Sequence, residues 1–357
     1  MSRLEKVLGF KELVEQKFLF EMGQNIDEEI YLKVRVDMAL SQQKAFGLIY
    51  LMLTDDCNLR CKYCFIENPM EEKYQRSSMS FEVAKERLEH FACMVKKNNP
   101  DISPQIMLYG GEPFLNYSVM QKVITKIDDM IGCGQLSKNT SVSINTNGTL
   151  IGTDEAIFLS KFKNLFISIS LDGYKDSHNS NRIYLNGKTV TEKVLETIRL
   201  LERFNINYGI SCTVTEANLK DLKKISSWFS KNLKTKTVGF NMLIDDSTEY
   251  FESKQRKYSH SCSTQMLKCF EYFRAHGIHE DRIMRKAKAF CKGSIYYNDC
   301  GACGQQMVVS PDGMIGVCHA YCYSKKYFIN YDSKFDPFLA SYWKEWRFRS
   351  PLFIDDC

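Results

Sequence analysis

The sequence predicts an α/β protein, a partial (β/α)6 barrel of the TIM type followed by a small cysteine-rich module. Apolar, β-rich runs alternate with longer amphipathic runs between residues 47 and 243, and this alternation favours parallel strands joined by right-handed crossovers. The strands are apolar throughout, which indicates that both of their faces are covered. Six strand–helix units are two short of a closed (β/α)8 barrel, so we expect an open barrel with its chemistry at the carboxyl ends of the strands.

The elements follow one another in strict order along the chain. The predicted strands are short apolar runs rich in β-branched and aromatic residues, at residues 47–54, 105–111, 141–148, 164–173, 207–215 and 237–243. The predicted helices place apolar residues three and four positions apart, at residues 80–97, 117–131, 154–163, 189–204 and 218–231. Plausible N-caps precede three of these helices: Ser80, Thr153 and Asn218.

The pattern changes after about residue 245. The polar stretch DDSTEYFESKQRKYSHS is predicted to be a connector, and residues 261–276 a further helix. The end of the chain is dense in cysteine and contains the turn sequence Ser310-Pro-Asp-Gly313, which favours a hairpin. We therefore predict four parts: an N-terminal extension (1–45), the barrel (46–250), a helical connector (251–290) and the cysteine-rich module (291–357).

Composition excludes several classes of protein. No run of 18 apolar residues exists, and the charged N-terminus lacks the apolar stretch of a signal peptide, so a cytoplasmic protein with no membrane contact is expected. The net charge of +5 is mild, and the lysines between residues 220 and 236 fit a solvated helix face, so no nucleic-acid partner is predicted. Fourteen cysteines in a cytosolic chain favour metal or redox ligation over disulfides.

Three cysteines follow the first predicted strand. Cys57, Cys61 and Cys64 form a CxxxCxxC pattern within LTDDCNLRCKYCF. Three thiolates can bind three irons of a [4Fe–4S] cluster and leave the fourth iron open to a ligand, whereas electron-transfer clusters usually bind all four irons through cysteine. The alternatives are a zinc knuckle and a disulfide, although zinc sites usually show two repeated CxxC or CxxH pairs.

This spacing resembles that of the radical S-adenosylmethionine (SAM) enzymes, in which the open iron chelates the amine and carboxylate of SAM. Three further features carry the resemblance. Tyr63 corresponds to an aromatic residue near the adenine, Gly110-Gly111-Glu112-Pro113 resembles the GGEP element that binds the SAM amine, and Arg182 in HNSNR resembles an HxxxR arginine that pairs with the SAM carboxylate. The resemblance implies that reduction of the cluster cleaves SAM into methionine and a 5′-deoxyadenosyl radical, which abstracts a hydrogen atom from the substrate.

Four polar residues at the ends of the third and fourth strands are further candidates for SAM contacts: Asn145, Ser168, Ser170 and Asp172. Side chains alternate along a strand, so Ser168 and Ser170 face the same way. Either can reach the ribose or carboxylate of SAM. Ordinary strand-end polarity is the alternative for each of the four.

The cysteines of the last part resemble the opening of a SPASM domain, an extension that holds auxiliary clusters. Cys300 or Cys303, followed by Gly313 and Cys318, fits the pattern Cx(9–15)Gx4C. The resemblance implies an auxiliary [4Fe–4S] cluster that uses Cys318 with Cys300 or Cys303, and Cys357 is a further candidate ligand. The later cysteines of SPASM proteins are missing here, so the chain departs from the family pattern at its end.

The resemblance covers about residues 47–320 and implies an enzyme that modifies a peptide or protein. Sulfatase maturases have a catalytic aspartate directly after the cysteine corresponding to Cys318, whereas this chain has His319. The Cys-His pair looks more like the maturases that form thioether or carbon–carbon crosslinks in peptides, and His319 is the predicted catalytic residue. Sulfatase-maturase-like protein oxidation stays open. So does a different class, a non-catalytic iron–sulfur carrier or zinc-organised binding protein.

The partners implied by the resemblance are a peptide or protein substrate and an electron donor such as flavodoxin or ferredoxin. The first 45 residues are too short for a full peptide-recognition winged domain. A separate leader-peptide-binding protein is therefore a further expected partner.

Overall fold

The protein is described here by a computed structural model that covers residues 46–66, 70, 74–243, 251–292, 301–302 and 304–336. The predicted extension at residues 1–45 and three predicted metal ligands, Cys300, Cys303 and Cys357, lie outside the described residues. The division of the chain into four parts stays a prediction.

Six parallel strands form the centre of the molecule, which confirms the predicted α/β fold with a mostly parallel sheet. The strands are β1 (Leu48–Thr54), β2 (Gln105–Gly110), β3 (Ser141–Thr146), β4 (Leu165–Ser170), β5 (Tyr208–Val214) and β6 (Thr237–Met242). Each pairs in parallel with the next strand along the chain. Their carboxyl ends therefore meet along one rim, as the prediction requires.

Seven helices are described, and the first five connect the central strands. They are α1 (Phe81–Asn98), α2 (Tyr117–Gly132), α3 (Thr153–Leu159), α4 (Thr191–Arg203), α5 (Leu222–Asn232), α6 (Phe251–Ala275) and α7 (Asp281–Cys291). Short 3₁₀ turns lie at Pro113–Asn116, Leu219–Asp221 and His319–Tyr321.

One of the three predicted N-caps is confirmed by a side-chain hydrogen bond, and the other two are not. Ser80 caps α1 as predicted, because its hydroxyl accepts the N–H of Val83 at 3.2 Å. The prediction of Thr153 is wrong by one residue: Gly152 is the N-cap of α3. Asn218 does not cap a helix with its side chain, which instead accepts the N–H of Thr215 at 2.8 Å.

Four short strands extend the sheet at both edges and were not predicted as barrel strands. They are β7 (His279–Glu280), β8 (Gln306–Val309), β9 (Ile315–Gly316) and β10 (Phe328–Ile329). The strand order is β10-β9-β8-β1-β2-β3-β4-β5-β6-β7. β7 runs parallel to β6 and β8 parallel to β1, whereas β8, β9 and β10 are antiparallel to one another. The predicted hairpin at the SPDG turn is thus present as β8–β9.

The predicted polar connector is wrong in part, because α6 begins at Phe251, ten residues before the predicted helix at 261. Tyr258 explains why a polar segment is helical here. Its hydroxyl accepts the N–H of Leu243 at 2.8 Å and donates to the carbonyl of Val214 at 2.5 Å. Contacts to the ends of β5 and β6 therefore hold a segment whose sequence shows little apolar periodicity.

The two faces of the central strands differ, which corrects the expectation that both are buried. In β3, Val142 and Ile144 are buried against the helices, whereas Ser143 and Asn145 face the barrel interior and are only half-buried. β2 and β4 show the same alternation. The interior of the barrel is thus partly polar and accessible near its rim. Among the described helices, none has both the length and the apolar character that crossing a membrane demands.

Candidate active site

The loop that carries Cys57, Cys61 and Cys64 is joined to the end of β2 by backbone hydrogen bonds. The N–H of Gly111 donates to the carbonyl of Thr54 at 2.9 Å, and the N–H of Glu112 donates to the carbonyl of Asp56 at 2.8 Å. A Cβ atom at Gly111 would lie 2.1 Å from the Asp56 carbonyl oxygen. Only glycine allows this approach, so the Gly-Gly pair fixes the start of the cysteine loop.

The three cysteines of this loop are all half-buried. The sulfur of Cys57 accepts the N–H of Leu59 at 3.4 Å and the amide of Asn147 at 3.9 Å, and the sulfur of Cys61 accepts a guanidinium N–H of Arg182 at 3.8 Å. Burial raises the pKa of the Cys57 thiol to about 12, and the neighbouring Glu112, Cys61 and Cys64 add to the rise. The three thiols are therefore close enough for the charge of one thiolate to affect the ionisation of the others.

These thiols fit a cluster rather than a single ion. Within the described ranges, no three His, Cys, Asp or Glu side chains are grouped closely enough to bind one metal ion together. A [4Fe–4S] cluster has a different requirement, because each thiolate binds its own iron. The three half-buried thiols of one loop are compatible with this requirement, and their binding of a cluster stays a prediction. N–H groups approach the sulfurs of Cys57 and Cys61. Such donors also tune the reduction potential of a cluster.

Glu112 braces the ends of β2 and β3 from a fully buried position. One carboxylate oxygen accepts the hydroxyl of Thr146 at 2.7 Å and the N–H of Phe114 at 3.1 Å, and the other accepts the N–H of Asn147 at 2.8 Å. Burial raises the pKa of Glu112 to about 7, although these donors oppose the rise. The contact of Glu112 with the SAM amine stays a prediction.

Arg182 lies beside the cysteine loop and is 7% exposed. Its Nε is 3.6 Å from Oδ2 of Asp172, within ion-pair distance but too long for a hydrogen bond. The same carboxylate oxygen accepts the hydroxyl of Tyr63 at 2.5 Å. The guanidinium carbon is 5.7 Å from the centre of the Tyr63 ring. The structure thus brings together three of the residues that were predicted to bind SAM.

The segment that carries Arg182 is held against the cysteine loop. The N–H of Arg60 donates to the carbonyl of Ile183 at 2.8 Å, and the N–H of Lys62 donates to the carbonyl of Asn181 at 2.9 Å. These two hydrogen bonds join the segment to the loop beside the cysteines.

Asn145, Ser168 and Ser170 line the barrel interior near this site, and all three are half-buried. Asn145 lies beside Ser168 across the β3–β4 pair, and Ser170 lies beside Ser211 across the β4–β5 pair. Their contacts with SAM stay predictions. Their placement on the inner face of the sheet is consistent with either a ligand contact or simple solvation of the interior.

His319 is packed among aromatic rings close to the cysteine loop. Its ring stacks on Tyr50 at 5.0 Å between centroids and meets Tyr109 at 5.2 Å and Phe65 at 5.5 Å. Burial lowers the pKa of His319 to about 4, so the imidazole is neutral near pH 7. Among the described residues its Nδ1 has no hydrogen-bond partner. A neutral imidazole with an unused nitrogen can accept a hydrogen bond from a substrate.

Cys318, the fourth predicted ligand that the structure describes, is half-buried just before His319. Cys322, four residues on, is buried, and burial raises the pKa of its thiol to about 12. Cys322 packs in a small apolar cluster with Met52 and Val308. The auxiliary cluster stays a prediction, since its other candidate ligands lie outside the described residues.

Two side chains at the site were missed in the sequence. Asn147 donates to the sulfur of Cys57, to Asn58 at 2.9 Å, and accepts the hydroxyl of Thr149 at 2.7 Å. The Asn-Gly turn after β3 is the sequence signal that points to Asn147, whereas the strand-end pattern favours Asn145. Arg282 donates to the side chain of Asn241 at the end of β6. It follows the two-residue strand β7, which no sequence pattern reveals.

Comparison with known proteins supports this picture. Residues 51–229 match the model of the radical SAM superfamily. An uncharacterized protein of Methanocaldococcus jannaschii is 30% identical over 204 residues, which cover 57% of this chain and 64% of that protein, less than two thirds of its length. The cysteine-type anaerobic sulfatase-maturating enzyme of Clostridium perfringens (strain 13 / Type A) is 28% identical over 294 residues, covering 78% of this chain and 75% of the enzyme.

Two solved structures share the fold. Native anSMEcpe with bound AdoMet and the Cp18Cys peptide has a TM-score of 0.69 at 22% identity and covers 87% of this chain and 86% of that chain. Streptococcus suis SuiB bound to its precursor peptide SuiA has a TM-score of 0.58 at 13% identity and covers 98% of this chain and 78% of that chain. The family model spans about half of the sequence and includes the cysteine loop and Arg182, so this chain belongs to the radical SAM superfamily.

Proposed function

We propose that this protein is a radical SAM enzyme that matures a peptide or protein by forming a thioether or carbon–carbon crosslink. Membership of the family implies a [4Fe–4S] cluster and SAM as cofactors. When bound and reduced, they supply a 5′-deoxyadenosyl radical that abstracts a hydrogen atom from the substrate. The observation that carries the proposal is the meeting of the cysteine loop, the Gly110–Gly111 turn and Arg182 at one rim of the barrel.

The residues of this rim have distinct roles in the proposal. Cys57, Cys61 and Cys64 hold the cluster, and the guanidinium of Arg182 binds the carboxylate of SAM. Arg182 suits this role because it is buried, positively charged and held beside the sulfur of Cys61 at 3.8 Å. Tyr63 offers its ring to the adenine.

The barrel interior between Asn145 and His319 is the proposed place of the substrate. His319 is the candidate catalytic residue because it stands with Tyr50, Tyr109 and Phe65 on the wall nearest the cysteine loop. Phe65 is 47% exposed, so this aromatic wall has an accessible edge. An apolar wall that excludes water protects a reactive radical from side reactions.

A peptide substrate is supported by the peptides in the two related structures, Cp18Cys in anSMEcpe and SuiA in SuiB. Crosslink formation rests on His319, which stands where sulfatase maturases have an aspartate. An electron donor such as flavodoxin or ferredoxin and a separate leader-peptide-binding protein complete the proposed partners.

The second candidate function is oxidation of a protein residue of the sulfatase-maturase type. Similarity to the clostridial enzyme over 78% of this chain favours it. The two candidates share all of the SAM chemistry and differ only in what the substrate radical becomes.

Anaerobically reconstituted protein, reduced with dithionite, tests the shared chemistry. We expect it to convert SAM into 5′-deoxyadenosine, measured by liquid chromatography. Protein that carries the cluster and binds SAM but forms no 5′-deoxyadenosine would instead be a non-catalytic carrier.

Tandem mass spectrometry of a peptide encoded beside the gene separates the two candidates. A crosslinking enzyme removes two hydrogen atoms and leaves a new link between two residues of the peptide. An oxidising maturase alters one side chain and leaves no link.

A further inference from the structure

We propose that Asp172 is a positioning residue that couples Tyr63 of the cysteine loop to Arg182, and that its carboxylate does not itself contact SAM. This inference rests on the proposed function, because there Tyr63 and Arg182 are assigned to SAM. It revises the expectation that Asp172 is a direct SAM ligand.

Both oxygens of the Asp172 carboxylate are already occupied by the protein. Oδ2 accepts the hydroxyl of Tyr63 at 2.5 Å and lies 3.6 Å from Nε of Arg182, and Oδ1 accepts the N–H of Thr213 at 2.9 Å. The residue is fully buried. Because the carboxylate is shielded from solvent, a ligand could reach it only if the surrounding side chains moved.

The backbone of Asp172 is held on both sides by buried asparagines. Its N–H donates to the side chain of Asn179 at 2.9 Å, and its carbonyl accepts the side chain of Asn218 at 2.9 Å. Asn179 and Asn218 are both fully buried. The carboxylate is therefore fixed between β4, β5 and the segment that leads to Arg182.

Arg182 depends on this fixed negative charge. Nη1 of its guanidinium points to the sulfur of Cys61, while Nε faces Asp172 and has no hydrogen-bond partner among the described residues. A buried cation needs a fixed counter-charge to keep one orientation. The carboxylate thus orients the guanidinium from one side, and the remaining donors of its fork are left for an anionic ligand.

Tyr63 depends on the same carboxylate. Its hydroxyl has Asp172 as its acceptor, and its ring centre is 5.7 Å from the guanidinium carbon of Arg182. One carboxylate therefore sets the ring and the guanidinium relative to each other. An acidic side chain near the proposed site of the SAM carboxylate would by itself repel that carboxylate. The role of Asp172 as counter-charge of Arg182 and acceptor of the Tyr63 hydroxyl accounts for its position after β4.

Asp172→Asn tests the inference, because the amide keeps the shape of the side chain and removes its charge. In the reconstituted full-length protein we expect the iron content to stay at the wild-type level. The SAM dissociation constant, measured by isothermal titration calorimetry, should rise roughly tenfold, as expected for the loss of one charge-assisted interaction. Glu216→Gln is the matched control, since Glu216 is exposed in the loop after β5 and should leave SAM binding unchanged.

Combined variants distinguish positioning from direct contact. If Asp172 acts only through Arg182 and Tyr63, adding Asp172→Asn to a variant that already carries Arg182→Gln and Tyr63→Phe should weaken SAM binding no further. Effects that multiply would show that Asp172 contacts SAM independently, and would overturn the inference. Should Asp172→Asn fail to fold, Tyr63→Phe tests the coupling of Tyr63 alone, because it removes only the hydroxyl that meets the carboxylate. We then expect weaker SAM binding, and an unchanged dissociation constant would contradict that coupling.

The outcomes also separate this inference from the proposed function. Wild-type protein that carries the cluster but does not bind SAM contradicts the proposed function. Wild-type protein that binds SAM, with an unchanged dissociation constant in Asp172→Asn, contradicts only the positioning role. A fall in thermal stability without a change in SAM affinity would assign Asp172 a purely structural role.

Discussion

The two parts of the ten-stranded sheet are stabilised in different ways. Strands β1 to β6 have six or seven residues each and carry apolar side chains that pack under the helices. Strands β7, β9 and β10 have two residues each, and β8 has four. Pairs of this length cannot form without tertiary contacts. The predicted SAM-binding part of the candidate site lies at the ends of the long strands, whereas His319 lies between the short strands β9 and β10.

A buried arginine shows how the short strands are held. Arg87 on α1 is 7% exposed, and its Nε and Nη2 donate to the carbonyl of Gly313 at 3.2 and 3.1 Å. Its guanidinium carbon is 3.3 Å from the centre of the Tyr331 ring. One side chain of the barrel therefore holds the turn between β8 and β9. The comparison suggests that the SAM site is determined by the long strands, and that the C-terminal strands can be loosened separately.

The largest expected effect comes from Gly111→Ala, which disrupts the contact between the end of β2 and the cysteine loop. The new methyl group would lie 2.1 Å from the Asp56 carbonyl oxygen, so the backbone must move. We expect a loss of roughly 1–3 kcal/mol in the free energy of unfolding, and iron incorporation well below the wild-type level. Gly132→Ala is the control, because nothing lies within 4 Å of the added methyl group. Normal iron loading in Gly111→Ala would show that cluster binding does not need the close approach of Gly111 to the Asp56 carbonyl.

The next effect concerns SAM. Arg182→Ala should raise the SAM dissociation constant about tenfold to a hundredfold, because a charge-assisted hydrogen bond contributes about 1.5–3 kcal/mol. Arg199→Ala, on the exposed face of α4, should leave the constant unchanged. Equal SAM affinity in the two variants would remove Arg182 from the site.

Loosening the short strands should have a smaller effect on the SAM chemistry. Arg87→Met removes both donors to the Gly313 carbonyl and should cost about 1–3 kcal/mol of stability. Hydrogen exchange should become faster in β8 and β9, while 5′-deoxyadenosine formation stays within a few-fold of wild type. Complete loss of SAM cleavage in correctly folded Arg87→Met would contradict the separation of the two parts.

The smallest effect is a pH dependence of stability from His178, in the segment that leads to Arg182. Burial lowers the pKa of His178, although Asp221 at 3.6 Å from Nε2 opposes this, and Lys175 and Lys224 add to the lowering. A lowered histidine pKa means that the unfolded chain binds the proton first, so stability is lost as the pH falls below about 6.5.

Urea unfolding of the apo-protein at about pH 7 and about pH 5 measures this dependence. His178→Gln should lose less stability between the two values than wild type does. His279→Gln, which changes an exposed histidine, should behave like wild type. An identical loss in all three proteins would show that His178 does not titrate on unfolding.

The long strands were predictable because each has its own apolar pattern, and the first four also end in polar motifs. The cysteine loop, the Gly110–Gly111 turn and Arg182 could all be placed on one rim for this reason. The short strands were not predictable, since a two-residue strand has no periodicity and β7 and β8 exist only beside β6 and β1. The start of α6 was wrong because Tyr258 anchors a polar segment through contacts that local sequence does not show.

Within the site, residue types were easier to predict than their partners. The pattern around strand four identified Asp172 as important but not that Tyr63 and Thr213 occupy its oxygens. Asn145 is the last asparagine of β3 and Asn147 comes just after the strand, and only the fold shows that Asn147 is the one that reaches the Cys57 sulfur. Contacts between distant segments decide such details.

The central claim is that the three cysteines after β1 form the catalytic cluster, independently of the C-terminal cysteines. Iron content and 5′-deoxyadenosine formation, measured together on reconstituted protein, test it most directly. Replacing Cys57, Cys61 and Cys64 together by alanine should remove about four irons per chain and abolish SAM cleavage, while the circular dichroism spectrum is unchanged. Cys93→Ala, at an exposed position on α1, should change neither quantity. SAM cleavage that survives in the triple variant would contradict the account.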